Sequence, residues 1–421
     1  MPNEVFSPAK LSRALVIKLR HHGDVLLSSP VISALKRLAP QCEVDALVYA
    51  DTAPMLEGHP ALTQLHLIDR NWKRLGFRRQ AAAEWSLLRK LGARHYDLVV
   101  HLSVHTRGAW LVRLLRPRWS VAPQFRAGFW AGSFTHFYPA QSDPQRHTVE
   151  TNLDSLRALG MEPTPADKRV TLVPGAAAEA RIEALLAQHG LSADSFVHVH
   201  PASRWAFKCW PAERVAALCD ALAARGWPIV LTSAPDASEK ALVAAVCAAR
   251  QPNAVTCPRS GIPGTQGASA PARCVPAGTM DLSGQLSLKE LAALTARARL
   301  FVGVDSAPMH MAAALGTPVV AIFGPSGDRE WGPWGEIGEN PHRVVASNTH
   351  PCRPCGLAGC NDSKVSECLT TLPVAQVLAA CEELLAIPPP PCLGLGMAEV
   401  RRVAAPVMTD PALGRPDGGA P

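Results

Sequence analysis

The stretch FVGVDSAPMHMAAALGTPVVAIFGPS, residues 301–326, decides the fold class because it predicts a strand, a polar turn, a helix and a second strand. Residues 301–304 form a short apolar run that is typical of a buried parallel strand. Pro308 suits the first turn of a helix, Gly316 ends that helix, and residues 317–323 return as a strand. The pattern therefore predicts a βαβ unit within a parallel sheet.

The polar turn of this unit, Asp305-Ser306, has two interpretations. It places the start of a helix just past the carboxyl end of a parallel strand, where unpaired N–H groups and the helix dipole favour phosphate. The same residues also fit an ordinary βαβ unit in which Asp305 caps the helix and the turn binds nothing. From this stretch, both an anion site and a structural cap remain open.

A second turn of the same kind lies near the start of the chain, in RALVIKLRHHGDVLLSSPVISALKRL at residues 13–38. Residues 14–19 predict a strand, and Gly23 allows a tight turn or a close approach by a ligand. Asp24 lies at the start of the following helix, where the dipole stabilises a carboxylate and lowers its pKa. Asp24 is therefore expected to be a helix N-cap, a general base at the mouth of the sheet, or both.

Alternating strands and helices predict an α/β protein with two doubly wound parallel sheets that face one cleft. The predicted strands cover residues 14–19, 43–48, 64–68, 98–102, 196–200, 228–232, 280–282, 301–304 and 317–323. The predicted helices cover residues 28–38, 52–58, 79–93, 210–225, 236–249, 287–298, 307–315 and 373–386.

Composition changes along the chain predict the domain boundaries. We expect domains at residues 1–170 and 171–387, joined by the Pro-, Ala- and Gly-rich segment 162–178. Residues 250–279 are rich in Pro, Gly and Ala without a period, which predicts an inserted surface loop. The tail, residues 388–421, begins in a proline run and is expected to be disordered.

The 421 residues are 48% hydrophobic and 18% charged, with a net charge of +7, which indicates a globular protein. No run of 18 apolar residues predicts a membrane span, and the first residues lack the pattern of a signal peptide, so we expect a cytoplasmic location. Residues 61–120 hold twelve Lys or Arg and three acids. This excess favours an anionic surface or substrate, or else marks a solvated helix face, and no nucleic-acid motif accompanies it.

Three motifs together resemble the lipopolysaccharide heptosyltransferases, glycosyltransferase family nine. They are KLRHHGDVLLSSPVISALK, HVHPASRWAFKCWPAERV and FVGVDSAPMHMAAALGTPVVAIFGPS, and the HHGDVLL form is most similar to the heptosyltransferase III branch. The similarity covers roughly residues 12–387. Any one motif is weak by itself, but the three in this order are specific to the family.

This resemblance implies a glycosyltransferase B fold, in which two Rossmann-like domains face a central cleft. The first domain would take the acceptor and the second the nucleotide sugar. The implied reaction moves L-glycero-D-manno-heptose from ADP-heptose onto the inner core of lipopolysaccharide, with inversion at the anomeric carbon and without a metal cofactor. We therefore expect the protein at the inner face of the inner membrane, in peripheral contact with its anionic surface.

The resemblance also assigns roles to single residues. Asp24 matches the family's catalytic Asp, Lys208 its phosphate-binding Lys, and Asp305 the Asp that meets the sugar hydroxyls. On the donor side, Ser306 and Ala307 offer backbone N–H groups, and His310 either faces the phosphates or packs. Gly23 and His22 belong to the acceptor side, where His21 and His22 either assist the base and touch acceptor phosphates or are simply polar surface groups.

Further donor contacts are expected from the loop that carries Ser203 and Arg204, which would meet diphosphate or heptose. Arg204 departs from the hydroxyl residue often found there in the family, although its guanidinium suits phosphate. Either Glu239 or Asp236 would hold the ribose hydroxyls, because both follow the strand at 228–232. Gly284-Gln285 would border the adenine. His147 and Asn152 are interpreted as interdomain structure rather than chemistry.

Four cysteines form a cluster with the spacing C-x2-C-x4-C-x7-C at residues 352–368. Cys352, Cys355, Cys360 and Cys368 suit a structural metal site better than disulfides in a cytosolic chain. The spacing is not that of a standard zinc ribbon, so reduced structural thiols are favoured over zinc, with no catalytic role.

Two other functions stay open at this point. One is an NAD-dependent Rossmann oxidoreductase, although the first turn lacks G-x-G-x-x-G. The other is a non-catalytic assembly module at the membrane, built on the basic segment and the cysteines.

Overall fold

A computed structural model describes residues 6–124, 128–139, 145–250, 278–335 and 341–388. Most of the predicted insertion at 250–279 lies outside these residues, and its last residue, Thr279, opens a strand. The predicted tail at 388–421 lies outside them from residue 389 onward.

Within the described residues, the first half of the chain forms a six-stranded parallel sheet in the order β3-β2-β1-β4-β5-β6. In the register at its centre, Val16 lies between Ala46 and Val100. The strands are β1 (Arg13–Ile17), β2 (Glu43–Tyr49), β3 (Gln64–Ile68), β4 (Leu98–His101), β5 (Trp119–Gln124) and β6 (His136–Pro139). The helices are α1 (His22–Leu26), α2 (Ser29–Leu38), α3 (Phe77–Gly92), α4 (Thr106–Leu115) and α5 (Thr148–Arg157).

The second half forms another six-stranded parallel sheet, in the order β12-β11-β10-β7-β8-β9. Its strands are β7 (Val197–His200), β8 (Ile229–Leu231), β9 (Thr279–Asp281), β10 (Leu300–Val304), β11 (Val319–Phe323) and β12 (His342–Ala346). Its helices are α6 (Ala176–Gln188), α7 (Ala212–Ala224), α8 (Ala237–Ala249), α9 (Leu288–Thr295), α10 (Ala307–Ala314), α11 (Asp328–Trp331), α12 (Glu367–Thr370) and α13 (Val374–Ala386).

The two sheets have the same topology. Renumbered within its own half, the second sheet repeats the order of the first, so each has one point where the strand order reverses. That point lies between β1 and β4 in the first sheet and between β7 and β10 in the second. In open α/β sheets, ligands bind in the crevice at the carboxyl ends of the strands beside such a switch point.

The cores of the two halves meet around α1 and α10. Met311 and Leu315 are buried in the same apolar cluster as Val25 and Leu26 from α1. Burial of side chains of this size stabilises the folded state by about 1.5–3 kcal/mol each. The described part of the first 386 residues accordingly belongs to one compact unit, and the switch points lie on either side of this contact.

Several elements differ from the sequence-based prediction. The helix expected at 52–58 is a 3₁₀ turn, Ala50–Met55, with Pro54 inside it. The segment expected as a linker, 162–178, contains a short 3₁₀ turn and the first residues of α6. The sequence analysis did not predict strands β5, β6 and β12 or helices α4, α5, α6, α11 and α12.

Candidate active site

The residues that follow β1 form one side of the site, which we call the first corner (residues 18–26). Asp24 is the third residue of α1, and its carboxylate is 13% exposed. The N-cap of α1 is His21, so the prediction that Asp24 is the N-cap is wrong. Arg20 Nε lies 3.6 Å from Asp24 Oδ1. Asp24 is therefore a carboxylate in the first turn of a helix, still accessible at the mouth of the sheet.

The first corner also contains a buried lysine that the sequence analysis counted only as part of the strand. Lys18 Nζ donates to the Leu102 carbonyl at 2.8 Å and to Asn152 Oδ1 at 3.2 Å. Burial lowers the pKa of Lys18 to about 8, while the negative charge of Asp24 opposes this shift. The detectable signal was a charged residue within the apolar run LVIKL, since buried lysines are rare and need partners.

The residues that follow β10 form the second corner (residues 305–310). Lys208 Nζ lies 2.5 Å from Asp305 Oδ2, so the expected phosphate ligand and the expected sugar ligand form an ion pair. Ser306 is the N-cap of α10, but its hydroxyl donates to the Val304 carbonyl. The alternative in which Asp305 caps the helix is therefore wrong, and no side chain of the described chain caps the first turn of α10.

The two corners are in direct contact through Gly23 and His310. A Cβ atom built on Gly23 would lie 2.9 Å from His310 Cδ2 and 3.9 Å from Ala307 Cα. His310 is buried, and its Nδ1 has no hydrogen-bond partner among the described residues. Burial lowers the pKa of His310, opposed by the charges of Asp305 and Asp24. A neutral imidazole therefore separates the carboxylate of the first corner from the ion pair of the second.

A cavity of about 360 Å³ lies beside the second corner and brings three predicted donor ligands together. Ser203, Arg204 and Glu239 all line it. Glu239 accepts the Ala234 N–H at 3.0 Å, and burial raises the pKa of its carboxyl group. Asp236 instead is the N-cap of α8 and accepts the Ser238 N–H at 2.9 Å. Of the two alternatives for the ribose contact, the geometry favours Glu239.

The remaining predicted residues lie around this centre. His22 Nε2 is 2.9 Å from the Asp51 carbonyl, on the side of the first sheet. Gly284 has φ 70° and packs against Pro235 and Lys240, in the loop after β8, and its predicted contact with adenine stays a prediction.

His147 and Asn152 have different roles, although they were interpreted together. His147 stacks on Trp334 with ring centroids 4.5 Å apart, and its Nε2 lies 3.0 Å from the Gly332 carbonyl. It therefore links the start of α5 to the segment between α11 and β12. Asn152 instead holds Lys18 and donates to the Leu27 carbonyl at 2.9 Å, so it braces the first corner.

The four clustered cysteines are free thiols that range from exposed (Cys352, Cys355) to buried (Cys368). Among the residues that the structure describes, no group of three or more His, Cys, Asp or Glu side chains is arranged to hold a metal ion. The choice between structural thiols and zinc stays a prediction.

Comparison with known proteins identifies the family. The model of glycosyltransferase family 9 (heptosyltransferase) matches residues 84–365. The chain belongs to glycosyltransferase family 9. It is therefore a glycosyltransferase, and both the oxidoreductase and the non-catalytic alternatives are wrong. The chain is 33% identical over 379 residues to lipopolysaccharide heptosyltransferase 3 of Escherichia coli. The alignment covers 87% of this chain and 97% of that protein.

Solved structures confirm the fold of this family 9 glycosyltransferase. A family 9 glycosyl transferase from Veillonella parvula superposes with a TM-score of 0.70 at 21% identity, covering 89% of this chain and 97% of its own. The ADP-heptose lipopolysaccharide heptosyltransferase II of E. coli gives a TM-score of 0.66 at 19% identity, covering 89% and 98%. The resemblance drawn from the three motifs, including its heptosyltransferase III branch, and the glycosyltransferase B fold are confirmed.

Proposed function

We propose that this enzyme transfers L-glycero-D-manno-heptose from ADP-heptose to the inner core of lipopolysaccharide, with inversion at the anomeric carbon. The names of two relatives support the proposal, since one is a lipopolysaccharide heptosyltransferase and the other an ADP-heptose lipopolysaccharide heptosyltransferase. The observation that carries it is the contact of the two corners, which brings Gly23, the residue before Asp24, against Ala307 and His310 in the first turn of α10.

In the proposed mechanism, Asp24 is the general base. A single displacement requires a group that takes the proton of the acceptor hydroxyl while its oxygen attacks the anomeric carbon. The Asp24 carboxylate lies in the first turn of a helix, beside the Arg20 guanidinium, at the mouth of the sheet where the acceptor hydroxyl would arrive. The acceptor would enter on the side of Gly23 and His22.

The donor would lie along the second corner and the adjoining cavity. As the bond from the sugar to the diphosphate breaks, its electron pair moves to the departing phosphate oxygen. The N–H groups of Ser306 and Ala307 and the Lys208 ammonium would stabilise this charge. Asp305 would accept hydrogen bonds from the sugar hydroxyls.

The nucleoside would extend from the diphosphate into the cavity. Ser203 and Arg204 would contact diphosphate or heptose, and Glu239 the ribose hydroxyls. Because the protein supplies cations and N–H groups at the leaving group, we propose that the reaction needs no metal cofactor.

We further propose that the enzyme acts in the cytoplasm, in peripheral contact with the anionic inner face of the inner membrane. The excess of Lys and Arg in residues 61–120 supports this location. In the described part of the chain, no helix is both long and apolar enough to cross a bilayer.

The decisive experiment is a transfer assay with ADP-heptose and a panel of truncated core acceptors. We expect ADP release and a new glycosidic bond whose anomeric configuration, read by NMR, is inverted relative to the donor, with equal rates in chelator. ADP should raise the melting temperature and NAD should not. A retained configuration, or no transfer to any heptose acceptor, would refute the proposal.

A further inference from the structure

Large apolar side chains are exposed on two helices that cover one face of the first sheet. Phe77 and Trp85 on α3 are 87% and 62% exposed, and Trp110 and Leu114 on α4 are 58% and 56% exposed. The inner faces of both helices are buried in the core beneath them. The exposed residues therefore do not serve the core of this sheet, and such a group marks an interaction surface.

These side chains form one surface because the two helices lie side by side. Helix α3 packs against α4, and Arg107 on α4 forms an ion pair with Glu84 on α3. Trp110 and Leu114 are four residues apart, so they lie on the same side of α4. We call this area the outer helix surface. It consists of Phe77, Trp85, Trp110 and Leu114 with the basic residues between them.

The outer helix surface is strongly cationic. Arg78 and Arg89 lie seven residues before and four residues after Trp85, so both flank it on the exposed side of α3. Arg79 and Lys90 are exposed on the same helix. None of these four cations has an acidic partner among the described residues, because the acid of α3, Glu84, is held by Arg107.

The positive charge of the outer helix surface indicates which kind of partner can bind it. A two-fold contact between copies of this chain would bring this cationic surface against itself, which is unfavourable. An anionic partner is favoured instead. Tryptophan and arginine together with purely apolar Phe and Leu side chains suit the boundary between lipid headgroups and acyl chains. Nucleic acid would use the cations and the tryptophans but not Leu114.

We propose that the outer helix surface docks the enzyme on an anionic bilayer, with Trp85 and Trp110 at the level of the headgroups. This proposal rests on the proposed function for its acceptor, which is carried by a lipid. Helix α4 begins just after β4, and the residue that follows β4, Leu102, accepts a hydrogen bond from Lys18 of the first corner. Docking by this surface therefore holds the acceptor side of the crevice near the bilayer.

Flotation with phosphatidylglycerol vesicles and with phosphatidylcholine vesicles tests the docking without any sugar donor. We expect binding to the anionic vesicles that high salt weakens. The variant Arg78→Gln/Arg89→Gln should bind about 30-fold more weakly, since each cation near the surface contributes a factor of about five. Trp85→Ser/Trp110→Ser should also bind more weakly at unchanged charge.

Matched controls come from the second half of the chain. Val344→Ser removes an exposed apolar side chain on β12, and Arg329→Gln removes an exposed cation on α11. Both should bind vesicles as the parent enzyme does. The proposal would be overturned if the controls lost as much vesicle binding as the test variants, or if the enzyme bound both lipids equally. It would also be overturned if the enzyme bound an RNA oligonucleotide and not the vesicles. A concentration-dependent dimer that the tryptophan variant abolishes would also overturn it.

Activity separates this proposal from the proposed function. The tryptophan variant should transfer heptose to a deacylated, soluble acceptor at the parental rate and to a vesicle-borne acceptor at least tenfold more slowly. If the parent enzyme transfers no heptose but the vesicle results hold, only the proposed function fails. If both acceptors are used equally by the variant, the docking proposal fails.

Discussion

The two corners share a backbone plan and differ in charge. Each follows a central strand at the switch point of its sheet and leads into a helix. The first turn of α1 contains Asp24, whereas the first turn of α10, Ala307–His310, is fully described and contains no acid. One helix start is thus partly neutralised by its own carboxylate, and the other keeps its positive end for an anion.

A lysine accompanies each corner, Lys18 within the first and Lys208 paired with Asp305 of the second, and the two are held differently. Lys18 is buried and bonded to a carbonyl and an amide, while Lys208 remains partly exposed and is paired with Asp305. The comparison shows that the topology gives both sheets the same strand-to-helix corner, while the side chains give the two corners different charges. Under the proposed function, the first corner would take the group that gives up a proton, and the second would take the group that gains negative charge.

The largest effect is expected from removing the acid of the first corner. Asp24→Asn keeps the size of the side chain but cannot take a proton, so kcat should fall by about 10²–10⁴. Steady-state ADP release with ADP-heptose and a core acceptor measures it. Asp69→Asn is the control, because Asp69 also accepts a hydrogen bond at a helical turn, from the Asn71 N–H, and should be nearly silent. If the Asp24→Asn enzyme kept its activity, Asp24 would not be the general base, and the proposed difference in function between the corners would be wrong.

Removing the cation of the second corner should have the next largest effect. Lys208→Ala removes the proposed donor to the leaving phosphate and leaves Asp305 without its lysine partner, so kcat should fall by about 10²–10³. The same assay, supplemented by calorimetric titration with ADP, separates loss of rate from loss of binding. Lys10→Ala, a change at an exposed lysine of the first half, should leave both unchanged. If only acceptor affinity fell, Lys208 would belong to the other reactant.

The buried lysine predicts a pH-dependent stability. Burial lowers the pKa of Lys18 in the folded state to about 8, below the value of 10.5 for an exposed lysine. Between these values the unfolded chain binds more protons, so stability rises with pH. Relative to Lys18→Met, the parent free energy of unfolding should rise by about 3 kcal/mol between pH 7 and pH 11. Urea unfolding at both pH values measures this, and parallel pH curves would show that Lys18 is not buried.

The contact between the corners predicts the smallest effect. Gly23→Ala places a methyl group 2.9 Å from His310, so we expect about 1–3 kcal/mol of destabilisation and slower transfer. Gly92→Ala is the matched control, because it also lies in a helix but has open space around it, and should stabilise by up to about 1 kcal/mol. Thermal unfolding compares them. In the double variant Gly23→Ala/His310→Ala, the loss of stability should be smaller than the sum of the losses in the two single variants. Full additivity would show that the two residues are not in contact.

Buried parallel strands were predictable because both of their faces are covered. Their sequences are continuous apolar runs, as in β10, which was predicted at residues 301–304 and is buried throughout at Leu300–Val304. The edge strands β6 and β12 are only partly buried, which weakens that signal. Strand β5 contains Pro123, which argues against a strand in sequence patterns.

The site was predictable where a local motif carried it and not where distant residues meet. Asp24, Asp305 and Lys208 came from three motifs, but the pairing of Lys208 with Asp305 joins positions 97 residues apart. The contact of Gly23 with His310 spans the two halves in the same way. Such residues come together only in the folded structure. The turn residues and helix spacing of one segment carry no information about which distant segment it contacts.

The absence of a Cβ atom at Gly23 has a consequence for how related sequences vary. Because the imidazole of residue 310 occupies the space that a methyl group at residue 23 would need, the two positions cannot enlarge independently. Homologues with a larger residue at the first position should carry a smaller one at the second. Covariation between these two sites, measured in a deep alignment, would record that steric exchange as an evolutionary trace.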